Sequence, residues 1–347
     1  MPASLTALVA LAAALEASSD DDPVVAQARR QQCPDTTIPM PCPDRTTPIF
    51  ALHIPKTGGR SLWTLAERAS GQALCEWAPM RFAHYKQSLA YAKNKRRKRN
   101  VPPDFGDPDL FEGLVARRAA GLRAAPCLTT YEAGWRATRA FGAAVPAVAT
   151  MVREPTSWRL SVVDHGRERG RHGGADALLA AGCLAKRGDA CGPAAGAPLL
   201  LSLTAPTQPL LLTGDGRLPA FDAPIAWTAS SLAEAKVHLA ASVFGVVDYF
   251  PESACLFAYQ FGTFGSGAYD AKTCACPRSS RNRWASKARA ENVSAAALRA
   301  LGSLQRGADA DFYAYALSLF FDRARAFERA TGTRLLCDDD DANARGP

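Results

Sequence analysis

Histidine is scarce in this chain, five residues in 347, and the five do not gather into a ligand cluster. The ten cysteines are scattered rather than set in paired Cys-x-x-Cys knuckles, and Cys274-Ala275-Cys276 has the wrong spacing for a zinc ribbon. The sequence therefore carries no metal-site signature. Aromatic residues are not interleaved with basic ones in any RNA-binding pattern, which argues against a nucleic-acid partner despite a net charge of +8. Outside the N-terminus no run approaches the ~20 apolar residues needed to cross a bilayer. The Walker pattern Gly-x-x-x-x-Gly-Lys-Ser/Thr is missing as well, and no strand carries a recognisable Walker-B carboxylate.

What is present begins with Leu5 to Leu15, an apolar run that is too short for a comfortable span. Residues 1–18 read as a signal peptide or short signal anchor, although no basic residue precedes the run. Any membrane association is expected through this segment only. Residues 19–47 are acidic, then rich in Pro, Thr and Gln, and read as a linker or stalk. An even cysteine count behind a secretory leader favours several disulfides, whose pairing the sequence leaves open. Asn292-Val293-Ser294 is a glycosylation sequon. The localisation expected is the secretory pathway, either the Golgi lumen or outside the cell.

Hydrophobic residues make up 48% of the chain, enough for a proper core in one large α/β domain. Ile49 to Ile54 reads as a short buried strand, followed by Pro55-Lys56-Thr57-Gly58-Gly59-Arg60-Ser61 and a helix to Ala69. The glycines let main-chain N–H groups approach an anion, and the helix start adds its dipole. Lys56 adds a full charge; Thr57 and Ser61 add hydroxyls. This is the pattern of a phosphate cradle. A second anion motif follows the buried strand 145–152: Arg153-Glu154-Pro155, then Arg159 and Ser161. Pro155 suits a first helical turn, and Ser161 lies about two turns further on. A fixed guanidinium with a hydroxyl suits a terminal phosphate.

Strands are also expected at 127–132 and 243–250, and helices at 232–239, 255–264 and 309–331, the last with Asp309 as N-cap. The stripe Phe312, Tyr315, Ala316, Leu319, Phe320 and Phe327 reads as core. Residues 336–347 form an acidic tail. Lys93 to Arg99 is a dense basic run, either a solvated loop or a contact for a polyanion.

The two anion motifs, in this order and each at a strand end, resemble those of the sulfotransferases that use 3′-phosphoadenosine 5′-phosphosulfate (PAPS). The likeness is nearest to the Golgi glycan branch, including the heparan sulfate 2-O and 6-O enzymes. It covers roughly residues 48–330, within a sulfotransferase domain expected at 48–335, and is weaker around Gln208 and Gly214. It implies an α/β, three-layer, P-loop-type domain with a central, mainly parallel sheet flanked by helices. It implies PAPS as donor, no metal, and an anionic polysaccharide or other glycan as acceptor. Lys56, Thr57, Gly58, Gly59, Arg60 and Ser61 would hold the 5′-phosphosulfate, although Arg60 stands where the family more often has Thr or Ser. Arg153 and Ser161 would hold the 3′-phosphate, and Lys56 would stabilise the leaving group. The general base is Glu132 or His84. Two rival readings remain: a P-loop-type kinase, and a non-catalytic, basic glycan-binding protein.

Overall fold

The computed structural model describes residues 22–34, 36–54, 57, 59–73, 126–131, 135–168, 174–180, 207–213, 228–266, 268–277, 293–303 and 307–337. Four strands form one sheet: β1 (Ile49–Leu52), β2 (Leu128–Tyr131), β3 (Ala147–Val152) and β4 (Val243–Val246). Their order is β2-β1-β3-β4, and every neighbouring pair is parallel. The described helices are α1 (Pro23–Arg30), α2 (Gly59–Ser70), α3 (Pro155–Glu168), α4 (Ala175–Ala180), α5 (Thr207–Leu210), α6 (Ala229–Ala240), α7 (Phe250–Gln260), α8 (Ala271–Cys274), α9 (Ala295–Ser303) and α10 (Gly307–Thr331). A 3-10 helix, Trp135–Phe141, follows β2, and a 3-10 turn, Val247–Tyr249, follows β4. The chain is thus α/β, a parallel sheet flanked by helices.

Both faces of the sheet are buried, which is the usual condition of parallel strands. Alternate residues divide between two apolar clusters. Phe50, Leu52, Val148, Val152, Phe244 and Val246 face one cluster, filled from α1, the 3-10 helix, α6 and α10. Ile49, Ala51, Leu128, Ala149, Met151 and Val243 face the other, filled from α2 and α7. A third, smaller cluster joins α3, α4 and α9. Gly245 of β4 has no room for a side chain: a Cβ there would lie 2.6 Å from that of Ser253 on α7.

Residues 22–47 do not behave as the linker that their composition suggests. Asp22 caps α1 through the N–H groups of Val24 and Val25, and Pro23 opens the helix. Val24, Val25, Ala28 and Met40 are buried in the main core. A Cys33–Cys42 disulfide closes the segment that follows. The physical reason is that few apolar residues suffice when each meets a preformed hydrophobic face. At the other end, Leu336 and Cys337, read from the sequence as the start of an acidic tail, are also buried. Cys337 is bonded to Cys276, and Cys255 to Cys274. Cys127 is bonded to a cysteine outside the described residues. Such cross-links belong to an oxidising compartment. No described helix is long and apolar enough to cross a membrane.

Helix α10 begins at Gly307, so Asp309 lies inside its first turn rather than capping it. The predicted core stripe holds: Phe312, Ala316, Leu319, Phe320 and Phe327 are buried, with Tyr315 packed beside them. Helix α7 starts five residues before the expected position, because Pro251 in its first turn sets its entry.

Arg323 of α10 is fully buried. Its guanidinium donates to the carbonyls of Pro39 (2.7 Å), Ser242 (2.8 Å) and Ala240 (2.6 Å), and lies 4.7 Å from the centre of the Phe244 ring. The cation thereby ends α6, where the helix dipole is negative, and fastens residues 31–42 to the core. Burial lowers its pKa, but arginine stays charged at neutral pH. Arg323→Met is expected to lower stability by roughly 3 kcal/mol, since three carbonyls, two of them buried, lose this donor. Arg323→Lys should recover only part, because an ammonium cannot reach all three. Urea unfolding of the three proteins measures this.

Asp22 also accepts from the Trp135 indole (2.8 Å) and lies 3.6 Å from His238 Nε2. The His238 ring stacks on Trp135 at 4.1 Å, and its Nδ1 meets the Leu212 carbonyl at 2.5 Å. Burial holds the imidazole below its ordinary pKa, against the opposing pull of Leu212, Asp22 and Glu234. The unfolded chain therefore takes up this proton first on acidification. The resulting stability is complete above about pH 6.5 and is lost as the pH falls below it. Urea midpoints between pH 7 and 5 should fall more steeply for the wild-type protein than for His238→Gln.

Candidate functional site

The sheet order reverses between β1 and β3, and that switch point is where the crevice of an α/β sheet is sought. From β1 the chain proceeds to β2 on one side; from β3 it proceeds to β4 on the other. Connections that part in this way leave an opening beyond the carboxyl ends of the two central strands, where open α/β sheets bind their ligands. Strands β1 and β3 are direct neighbours in register, Phe50 opposite Val148 and Ala51 opposite Ala149. The Thr150 hydroxyl donates to the Leu52 carbonyl across the seam at 3.0 Å. Both anion motifs therefore leave the sheet at the same edge, from adjacent strands.

On the β1 side the chain turns at Ile54. Thr57 is buried, and its N–H (3.3 Å) and hydroxyl (2.7 Å) both donate to the Ile54 carbonyl. Its hydroxyl therefore shapes the loop. Gly59, Arg60 and Ser61 form the first turn of α2, which contains no acidic residue. Lys56 and Gly58 lie outside the described residues, as do the two general-base candidates, Glu132 and His84, and the basic run at 93–99.

On the β3 side, Arg153 is the first residue beyond the strand, with 7% of its surface exposed. Gln208 of α5 grips its main chain at two points: Arg153 N–H donates to Gln208 Oε1, and Gln208 Nε2 donates to the Arg153 carbonyl, both at 2.8 Å. Glu154 caps α3 with its carboxylate, accepting from the N–H groups of Thr156 (2.8 Å) and Ser157 (2.6 Å). Its own N–H donates to Asp248 Oδ2 (3.3 Å), which also accepts from the Tyr313 hydroxyl (3.0 Å). Burial, and then the Asp248 and Glu154 carboxylates, hold the Tyr313 phenol far above its usual pKa, so it remains a donor. Ser161 lies further along α3, 9% exposed.

The two helix starts at the crevice therefore differ. The first N–H groups of α3 are satisfied by Glu154. The first turn of α2 follows a Lys-Thr-Gly loop and brings no carboxylate of its own. The first turn of α2 is therefore the more favourable helix start for an anion, because the first N–H groups of α3 are already taken by Glu154.

Arg159, which aligns loosely with the second motif, serves the fold. It is fully buried, donates to the Pro155 carbonyl (3.2 Å) and meets Asp309 Oδ2 at 2.5 Å. That pair locks α3 to α10. The roles of Gln208, Asp248 and Tyr313 are not read from the sequence, because each depends on contacts 55 to 94 residues away. Among the described residues no group of His, Cys, Asp or Glu is arranged to hold a metal.

The chain matches no protein-family model, no curated protein and no solved structure.

Asp309→Ala leaves the Arg159 charge buried without this carboxylate and should cost about 3–5 kcal/mol. The double variant Arg159→Met/Asp309→Leu, which removes both charges, should recover most of that loss. Chemical denaturation of both variants measures it.

Proposed function

We propose that this protein is a PAPS-dependent sulfotransferase of the secretory pathway, with a three-layer P-loop-type domain and a glycan hydroxyl as acceptor. The observation that carries the reading is the adjacency of β1 and β3. Two motifs, 97 residues apart from Lys56 to Arg153, leave neighbouring strands at the edge where an α/β sheet binds ligands. A donor with phosphate groups at two positions needs two anion seats a nucleotide's length apart. The loop 55–61 with the start of α2 is one seat, and Arg153 with Ser161 is the other.

The reaction is an in-line displacement. The acceptor oxygen forms its bond to sulfur as the bond from sulfur to the phosphate oxygen breaks, and adenosine 3′,5′-bisphosphate leaves. The transferring group spreads its charge over three oxygens, so positioning and electrostatics dominate, as in phosphoryl transfer. Lys56 neutralises charge developing on the bridging oxygen. Glu132 or His84 accepts the acceptor's proton. The Lys93 to Arg99 run supplies a contact for an anionic polysaccharide, in keeping with the net charge of +8. The disulfides suit passage through the secretory pathway.

Transfer of label from PAPS to a panel of polysaccharides tests the reading. Lys56→Ala should lower turnover ~100-fold or more, as for loss of a key transition-state contact. Arg153→Ala should weaken binding of adenosine 3′,5′-bisphosphate at least ~10-fold. Glu132→Gln should bind that nucleotide normally yet not turn over if Glu132 is the base; normal turnover transfers the role to His84. Binding of ATP with Mg²⁺ in preference to the bisphosphate would make the protein a kinase. Heparin binding without any nucleotide binding would make it a glycan-binding protein.

A further inference from the structure

We propose that Gln208 is the positioning residue of the crevice, and that residues 207–213 form a strap that sets the direction in which Arg153 leaves the sheet. As a statement about ligand binding, this rests on the anion-site reading of Arg153 given above.

At the end of a strand the next residue loses its ladder partner, and its N–H and C=O must find others. In extended backbone both groups of one residue point to the same side. A carboxamide offers one donor and one acceptor with the spacing of a peptide group. Gln208 uses both on Arg153, at 2.8 Å each, and is itself only 3% exposed. It thus supplies the missing rung, and β3 is in effect one residue longer than its ladder. Continued by that rung, the alternation along β3 gives Arg153 the parity of Ala149 and Met151, the face on which α2 packs. Without it, the Arg153 peptide loses both of these bonds, and with them a constraint on the direction in which its side chain leaves the strand.

The strap is well placed to impose this geometry because its other end is anchored. The Trp135 N–H donates to the Leu211 carbonyl (2.7 Å), and His238 Nδ1 meets the Leu212 carbonyl (2.5 Å). Leu211 and Leu212 are fully buried. Trp135 opens the 3-10 helix after β2, so the strap joins the exits of β2 and β3, the two strands that flank β1. Beyond Arg153, Asp248 holds the Glu154 N–H, and Glu154 holds those of Thr156 and Ser157. The turn 153–157 is fixed from several segments, and Gln208 is the member that touches the anion-binding residue itself.

The test compares Gln208→Ala and Gln208→Glu with Gln260→Ala. Gln260 is an equally buried glutamine that donates to the Pro41 carbonyl (2.9 Å), away from the crevice. Gln208→Glu keeps the acceptor and the size but loses the donor, so it carries the test if Gln208→Ala does not fold. Two readouts are taken: amide exchange of peptides covering 153–157 against 147–152, and calorimetric affinity for adenosine 3′,5′-bisphosphate. Both Gln208 variants should exchange faster in 153–157 alone and bind at least ~10-fold more weakly. Gln260→Ala should change neither readout, whatever its melting temperature. If the Gln208 variants match Gln260→Ala in both readouts, the strap has no positioning role. If the wild-type protein does not bind the bisphosphate, the nucleotide reading fails, and exchange alone decides the strap: unchanged protection at 153–157 overturns it.

Discussion

The parallel pairing of β1 with β3 is the constraint on which the rest of this molecule depends. It joins two segments almost a hundred residues apart, and it does so at the centre of the sheet, where both faces are covered. Because β1 is followed by β2 on one side and β3 by β4 on the other, the strand order reverses at this seam, the point at which open α/β sheets bind their ligands. The same hydrogen bonds that make the core therefore also set this switch point. Any chemistry built from the Lys56 loop and Arg153 depends on that register. A shift of one residue would move every side chain of β3 to the opposite face and exchange the two cores.

Around this centre, the first and last described segments are held by polar contacts within apolar packing. Arg323 joins residues 31–42 to the end of α6, and Asp22 joins α1 to Trp135 and His238. The Cys276–Cys337 disulfide closes a 61-residue separation and fixes the chain just after α10. These devices hold the body together on the face of the sheet where the strap also packs. The stability of that face and the geometry of the crevice edge are thus connected through Leu211 and Leu212, whose carbonyls hold Trp135 and His238 while Gln208 reaches Arg153.

Much of the framework is legible in the sequence because it rests on local patterns. The four segments read as strands are strands, at 49–52, 128–131, 147–152 and 243–246, within a few residues of expectation. The aromatic stripe of α10 follows directly from helical periodicity. What composition conceals is the role of 22–47, where sparse apolar residues pack because a face awaits them. Spacing also fails for Arg159 and Asp309. Arg159 matches an anion motif and Asp309 resembles a cap, yet they are each other's partners across 150 residues. For such charges, burial decides the role, and burial is a property of the assembled fold. Gln208 falls between these cases: its position stands out by resemblance, but its two bonds to one peptide do not.

The arrangement of charge around the crevice has a further consequence for how a doubly anionic donor would lie. On the β4 flank, Glu154 and Asp248 are acidic, and their oxygens accept from main-chain N–H groups and from Tyr313. That flank stabilises its own backbone and repels an anion. The β1 flank has the start of α2 with no acid in its first turn, and a lysine in the loop before it. Between them stands Arg153, pinned at the exit of β3. A ligand with phosphate at two positions, as proposed above, would therefore be directed along the β1–β3 seam and away from β4. On the proposed reading the acceptor would then approach from the β2 side, on which Glu132 follows its strand in sequence. The net effect of Gln208, Glu154 and Asp248 would then be to bias the crevice, so that the donor enters in one orientation before any acceptor arrives.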